Sequence, residues 1–186
     1  MLSLLERKPP TRSIRRTVTP TGRERRFRNQ DFILSKTDLK GRITYANDVF
    51  LAISGFTERE VMGAPHSIVR HPEMPRCVFQ FFWETIKSGN EIFAYVVNLC
   101  KNGDHYWVLA HVTPTFDAAG QIVGYHSNRR SPDRRAVAEI KEVYANLLAI
   151  ENRHQDRKEG LAASRSALDK MLADKGLSFN EFTLSL

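Results

Sequence analysis

The chain is poor in the residues that would crosslink a scaffold or hold a metal. It has two cysteines, Cys77 and Cys100, in 186 residues, too few for a disulfide framework, and neither has a partner at metal-ligand spacing. Long apolar runs are also missing. None approaches the roughly 18 residues needed to cross a bilayer, so no transmembrane helix is expected. The opening Met1-Leu2-Ser3-Leu4-Leu5 gives way at once to Glu6-Arg7-Lys8, too short an apolar stretch for a secretory signal. A reducing, cytoplasmic setting follows as the expectation. The 10 glycines stand singly at turns, so no Gly-rich loop cradles a phosphate. No nucleophile sits beside a base and no carboxylates pair within one segment, which leaves enzymatic catalysis without support.

What is present suits a packed domain. Hydrophobic residues make up 41% of the chain and include 11 phenylalanines, enough for a core and too many for a wholly disordered polymer. Charge is unevenly placed. Residues 1–31 hold nine lysines and arginines against three acids, which accounts for +6 of the net +7. The high pI therefore belongs to a basic leader, read as 1–30 and broken by Pro9, Pro10, Pro20 and Gly22. Such a tail could meet nucleic acid or an anionic membrane surface, but with no aromatic interleaving before Phe27 and no nucleic-acid-binding motif it reads better as a solvated leader.

From Asp31 to Pro132 the texture changes. Phe32-Ile33-Leu34 and Arg42–Asn47 flank the turn Asp38-Leu39-Lys40-Gly41 as a hairpin. Asp48 is placed to cap Val49–Ser54, with Gly55 as its end, and Thr57-Glu58-Arg59-Glu60 has the form of a capping box. His66–Met74 is irregular, broken by prolines. Pro75 starts a helix carrying Val78, Phe79, Phe82, Trp83 and Ile86. Three strands follow, Glu91–Lys101, His105–Phe116 and Gln121–Arg129. The expected fold class is α+β: a five-stranded antiparallel sheet with short helices on one face, over 31–132, plus a C-terminal helical extension over 133–186.

The strand at 91–100 is apolar on both parities, so its outer face also needs cover. Trp107 and Leu109 share that outer parity, with Tyr106, Val108 and Ala110 inward. The helix opened by Asp133 carries Val137, Ile140, Tyr144 and Leu147 in a stripe fit to provide the cover. The occupant is either this terminal helix or a second subunit; a homodimer through the outer face and C-terminal helix is expected. Gly160 is expected to interrupt the extension before a weaker helix over 161–174.

Thr37–Asn47, Ser54-Gly55-Phe56-Thr57, Gly63-Ala64-Pro65-His66, Val69-Arg70-His71-Pro72-Glu73-Met74-Pro75 and Lys101-Asn102-Gly103-Asp104-His105-Tyr106-Trp107-Val108 together resemble a PAS domain, and in particular the sensor domain of bacterial aerotaxis receptors. The resemblance runs over about residues 32–130. It implies non-covalent FAD, a redox or oxygen sensor of the energy-taxis kind, and output to a signalling protein that the sequence does not identify. It also implies that Arg70 and His71 bind the cofactor, Arg70 at the diphosphate and His71 by stacking or hydrogen bonding; His66 matches a family histidine. Asn98, on the inward parity, could pair with a flavin pyrimidine edge or with backbone. Asn47, at a strand end, is a further candidate that reads better as a turn former.

The chain departs from the pattern in places. Glu73 stands where the family has Asp. Ile92 replaces a Trp, and Val97, Leu99 and Cys100 replace a lysine and two arginines; the lost cations fall on both faces, and their loss makes the outer one greasier. Haem is the alternative cofactor, with His66 or His71 as axial ligand because His111 and His126 fall on the outer parity. A ligand-free adaptor is the other alternative. Cys77 lacks the Asn-Cys-Arg-Phe setting of light-oxygen-voltage photochemistry.

Overall fold

A computed structural model describes residues 18–186; the first half of the basic leader lies outside the described residues. Five strands form one antiparallel sheet in the order β2-β1-β5-β4-β3, with β1 Ile33–Thr37, β2 Ile43–Ala46, β3 Ile92–Leu99, β4 His105–Phe116 and β5 Ile122–Arg130. Between β2 and β3 the chain runs through α1 (Asp48–Ser54), α2 (Glu58–Val61), a 3-10 turn (His66–Val69) and α3 (Arg76–Lys87). The extension is α4 (Arg134–Asn152), α5 (Arg157–Lys175) and α6 (Phe179–Leu184).

Local signals explain most of these boundaries. The Thr57–Glu60 capping box is made in full. Asp133 accepts from the amides of Arg135 and Ala136 to open α4, and Pro75 precedes α3. Gly55 ends α1 at φ 74°, a left-handed conformation that a side chain resists. One cap differs from expectation. Asn47, not Asp48, is the N-cap of α1; its Oδ1 accepts from the amides of Phe50 and Leu34, and its Nδ2 donates to the Phe32 carbonyl.

The pairing register fixes which side chains face inward. Asn98 lies opposite Tyr106, Ala94 opposite Ala110, Ala110 opposite Arg129, and Arg129 opposite Ile33. Since alternate residues share a face, Asn98, Tyr106, Ser127, Arg129 and Ser35 all point toward the helical layer. Phe50 of α1 lies under the Arg129 guanidinium at 5.5 Å, and Trp83 of α3 meets Tyr125 edge to face.

The outer face is covered by the chain itself. Val137, Ile140, Tyr144 and Leu147 of α4 are all buried. Tyr144 lies over Trp107 with ring centroids 6.4 Å apart and donates its hydroxyl to the Tyr95 carbonyl at 2.7 Å. A homodimer built on this stripe therefore loses its apolar seam, which is consumed within one chain. The free edge of β3 is closed as well: Asn180 of α6 accepts from the Phe93 amide, Met74 sulfur from the Val97 amide, and Arg70 bridges Asn98 through backbone. An open edge would invite another strand.

Within the extension α4 and α5 form a helical hairpin, and Gly160 does not interrupt a helix. Gly160 lies inside α5, and a β-carbon there would sit 2.4 Å from the Glu151 carbonyl oxygen. The glycine permits a close crossing of α4 and α5. The described part of the leader is also docked. Its backbone bonds to Gly103 and His105, Arg23 pairs with Asp104 at 2.8 Å, and Arg25 donates to the Ile53 carbonyl at 2.8 Å. Both arginines thus have specific acceptors, although Arg23 stays largely exposed and only Arg25 is half-buried.

Candidate functional site

The inner face carries an unusual cluster for a sheet core. Arg129 is 3% exposed and no carboxylate lies within ion-pair distance of it among the described residues. Its Nη2 donates to Ser35 Oγ at 2.5 Å and to His66 Nε2 at 2.6 Å, while Nη1 is buried without a partner. Burial lowers its pKa to about 10, so it stays charged at neutral pH. His66, at the start of the 3-10 turn, is lowered to about 3 by burial and then by the Arg129 charge. It is a neutral imidazole with Nε2 as acceptor.

Tyr106 is fully buried with its hydroxyl unpartnered. Desolvation raises its pKa, and the Arg129 charge is near enough to oppose that rise. Asn98, 4% exposed, lies directly across the β3–β4 ladder from it, and its amide makes no hydrogen bond among the described residues. Native cores pair nearly all such groups. A guanidinium N–H pair, a phenol and a primary amide therefore share one inner face with hydrogen-bonding capacity to spare.

Arg70 and His71 come together with Asn98 through the strand edge. The Arg70–Asn98 backbone bridge draws the loop against β3. The Arg70 guanidinium lies 4.2 Å over the Phe79 ring; burial lowers its pKa, with Glu151 opposing the shift. It thus leans toward α3 and the extension. His71 is 2% exposed and lies 5.6 Å from the His105 ring. Its Nδ1 accepts from the Glu73 amide at 3.2 Å, so the ring proton sits on Nε2, which is buried and unpartnered. Burial keeps this imidazole neutral as well, against the pull of Glu73. It is a donor without an acceptor.

The candidates thus separate. Asn98, His66, Arg70 and His71 border the inner face or its edge. Asn47 has both oxygen lone pairs and one N–H committed to backbone and serves as a cap. Trp107, His111 and His126 lie on the outer parity. Arg129 and Tyr106 were not singled out from sequence; the alternation Tyr125, Ser127, Arg129 places a cation on the inward parity of a central strand, and that is the signal that could have found it. A surface cavity of about 530 Å³ between residues 24–29 and the start of α4 lies elsewhere, and none of these inner-face groups lines it.

Neither thiol is positioned for chemistry on the inner face. Cys77 packs near Ser164 and Glu151, and Cys100 donates to the Ile53 carbonyl. Desolvation pushes each up to about 11.

This donor set suits a flavin. The ring's pyrimidine edge carries two carbonyls and an N–H, which call for donors and one acceptor, in an otherwise apolar slot. The unpartnered Arg129 Nη1, Tyr106 Oη and His71 Nε2, with the Asn98 amide, are of the right kind.

Comparison with known proteins agrees with this architecture. Residues 43–129 match the family model described as PAS fold. The aerotaxis receptor of Escherichia coli is 40% identical over 139 residues, covering 75% of this chain and 27% of the receptor. The biofilm dispersion protein BdlA of Pseudomonas aeruginosa is 28% identical over 142 residues, 73% of this chain and 33% of that protein. The chain thus spans about a quarter to a third of the length of these relatives. Among solved structures, a light-oxygen-voltage domain studied with a flavin analogue superposes with a TM-score of 0.53 at 20% identity, over 62% of this chain and 86% of that one. The light state of the Aureochrome1 light-oxygen-voltage domain gives 0.51 at 23% identity, over 66% and 93%. Those two likenesses concern the fold. The five strands with their layer of short helices are therefore a PAS domain, similar in sequence to that of the aerotaxis receptor.

Proposed function

We propose that this chain is a non-enzymatic redox sensor that binds FAD without covalent attachment and passes the cofactor's state through α4 to another protein. The observation that carries the reading is the set of buried polar groups without partners on the inner face, Arg129 Nη1 and Tyr106 Oη foremost. The relation to an aerotaxis receptor supports a taxis-like signalling role. When bound, FAD would supply a ring that accepts and returns electrons. Asn98 would hold the ring's polar edge, His71 would donate from Nε2 beside the β3 edge, and Arg70, over Phe79 of α3, would meet the diphosphate.

The route outward follows from β3. Asn98 faces inward, while Tyr95 and Val97 of the same strand face α4. A change in the hydrogen bonds of Asn98 moves a strand whose other side carries the Tyr144–Tyr95 bond and the Trp107–Tyr144 stack. That gives α4 two packings with different contacts, the requirement for a switch.

Haem fits less well. Nε2 of His66 is occupied by the Arg129 N–H and Nδ1 of His71 by the Glu73 amide, so neither ring offers iron a free lone pair without losing a bond. The absorbance spectrum of the purified chain decides. Flavin bands, with FAD released on heating, are expected. A strong Soret band would replace this reading with haem, and a colourless protein after expression with riboflavin supplementation would leave an adaptor.

A further inference from the structure

Arg129 is the feature that folding alone explains least. It sits on a central strand, away from any sheet edge, with its guanidinium over the Phe50 ring and its charge uncompensated. The usual ways to accommodate a buried arginine are a carboxylate partner or a full set of acceptors. Here Ser35 and His66 both draw on one nitrogen, Nη2, and Nη1 has nothing. His66 being neutral, it lends an acceptor and no counter-charge. Tyr106 adds a second group of the same kind, a phenol aimed into the core with no partner. Two unrelated side chains on neighbouring strands thus share the inward face, each with hydrogen-bonding capacity that no protein group meets.

The chemistry of a group that meets this capacity follows. Arg can only donate, and it carries a positive charge. The group opposite must therefore be rich in acceptors and neutral or negative.

We propose that Arg129 and Tyr106 are ligand-binding residues that grip the acceptor edge of the bound cofactor, Arg129 acting also as the fixed counter-charge to negative charge on that edge. This rests on the FAD reading above and adds to it two residues outside the Arg-His loop. His66 and Ser35 are positioning residues, since they hold Nη2 and thereby aim Nη1.

The full chain, stripped of cofactor, is titrated with FAD by fluorescence quenching, and the melting temperature of the stripped protein is measured alongside. Arg129→Met should weaken FAD binding about 10- to 100-fold, the range for loss of a charge-assisted hydrogen bond, and Arg129→Lys should recover part of it. Tyr106→Phe, which removes one oxygen, should weaken binding several-fold. In both cases the stripped protein should melt at or above the temperature of the unsubstituted chain, because each substitution removes a buried group with unmet bonding capacity. Unchanged FAD affinity in Arg129→Met and Tyr106→Phe overturns the proposal. So does a lowered melting temperature of the stripped protein in both, which would mark the pair as structural. Failure of the unsubstituted chain to bind FAD at all is a different result, which removes the FAD reading and this inference with it.

Discussion

Glu151 is the joint between the sensor domain and its extension, and replacing it should release the extension. The carboxylate is 3% exposed. It accepts from Arg76 Nε at 2.9 Å, from the Cys77 amide at 3.0 Å and from Ser164 Oγ at 3.0 Å. The three donors come from the start of α3 and the middle of α5, so one side chain near the end of α4 ties three helices. Glu151→Ala leaves the Cys77 amide buried without an acceptor and Arg76 without its anion. Ser164 keeps its bond to the Leu161 carbonyl, and Arg76 retains the Arg157 carbonyl and some solvent. These two remnants place the cost toward the lower end of the range for breaking a buried pair, about 3 kcal/mol of about 3–5. Glu151→Gln keeps an acceptor for the Cys77 amide and should cost about 1–2 kcal/mol. Urea unfolding followed by circular dichroism gives both values. Hydrogen exchange should show α5 losing protection while β4 and β5 keep theirs. A loss below about 1 kcal/mol for Glu151→Ala, with α5 still protected, would refute the assignment of Glu151 as the joint.

Gly160→Ala gains about 1 kcal/mol of helix propensity on an isolated helix, yet here should destabilise the chain, because its β-carbon would meet the Glu151 carbonyl at 2.4 Å; a higher melting temperature would contradict the close crossing. His66 is held neutral down to about pH 3 in the fold, whereas an unfolded histidine protonates near 6.5. Its contribution is therefore complete above pH 6.5 and is lost as pH falls through that window, by up to about 1.4 kcal/mol per pH unit. Unfolding measured from pH 7 to pH 4 should show a shallower slope for His66→Asn, and an unchanged slope would contradict the burial of that ring. Cys77 and Cys100, both pushed up to about 11, should resist a disulfide-exchange reagent at pH 8 until urea is added; rapid labelling of the native chain would contradict their environment.

How much of this was legible beforehand differs by kind of signal. Alternation and turn chemistry gave the strands, because both act within a few residues: the Asp38–Gly41 turn, the Thr57–Glu60 box and the two-sided apolar strand at 91–100 all appear in the structure. Caps are less certain by one residue, since Asn47 and Asp48 are both good cap formers and only the bonds to Phe50 and Leu34 decide between them. Gly160 was misread because a glycine that breaks a helix and one that lets two helices touch look alike in sequence. The acceptors of Arg23 and Arg25, Asp104 and the Ile53 carbonyl, are far along the chain, so nothing near these arginines in sequence points to them.

The candidate site was legible in part for a similar reason. Asn98 could be placed inward by parity, and the Arg70–His71 pair came from a motif. Arg129 stands one residue from the end of β5, beside Arg130, where a charge ordinarily faces water. The alternation with Tyr125 and Ser127 was the one hint in the sequence, and the register opposite Ala110 and Ile33 shows that it points into the core.

The account turns on whether the inner face holds one planar cofactor per chain. Adding FAD to the stripped full chain and following the quenching of its fluorescence tests this directly. The account predicts saturation at one FAD per chain, with Asn98→Ala weakening the binding. Quenching that never saturates, or binding that Asn98→Ala leaves untouched, would contradict it.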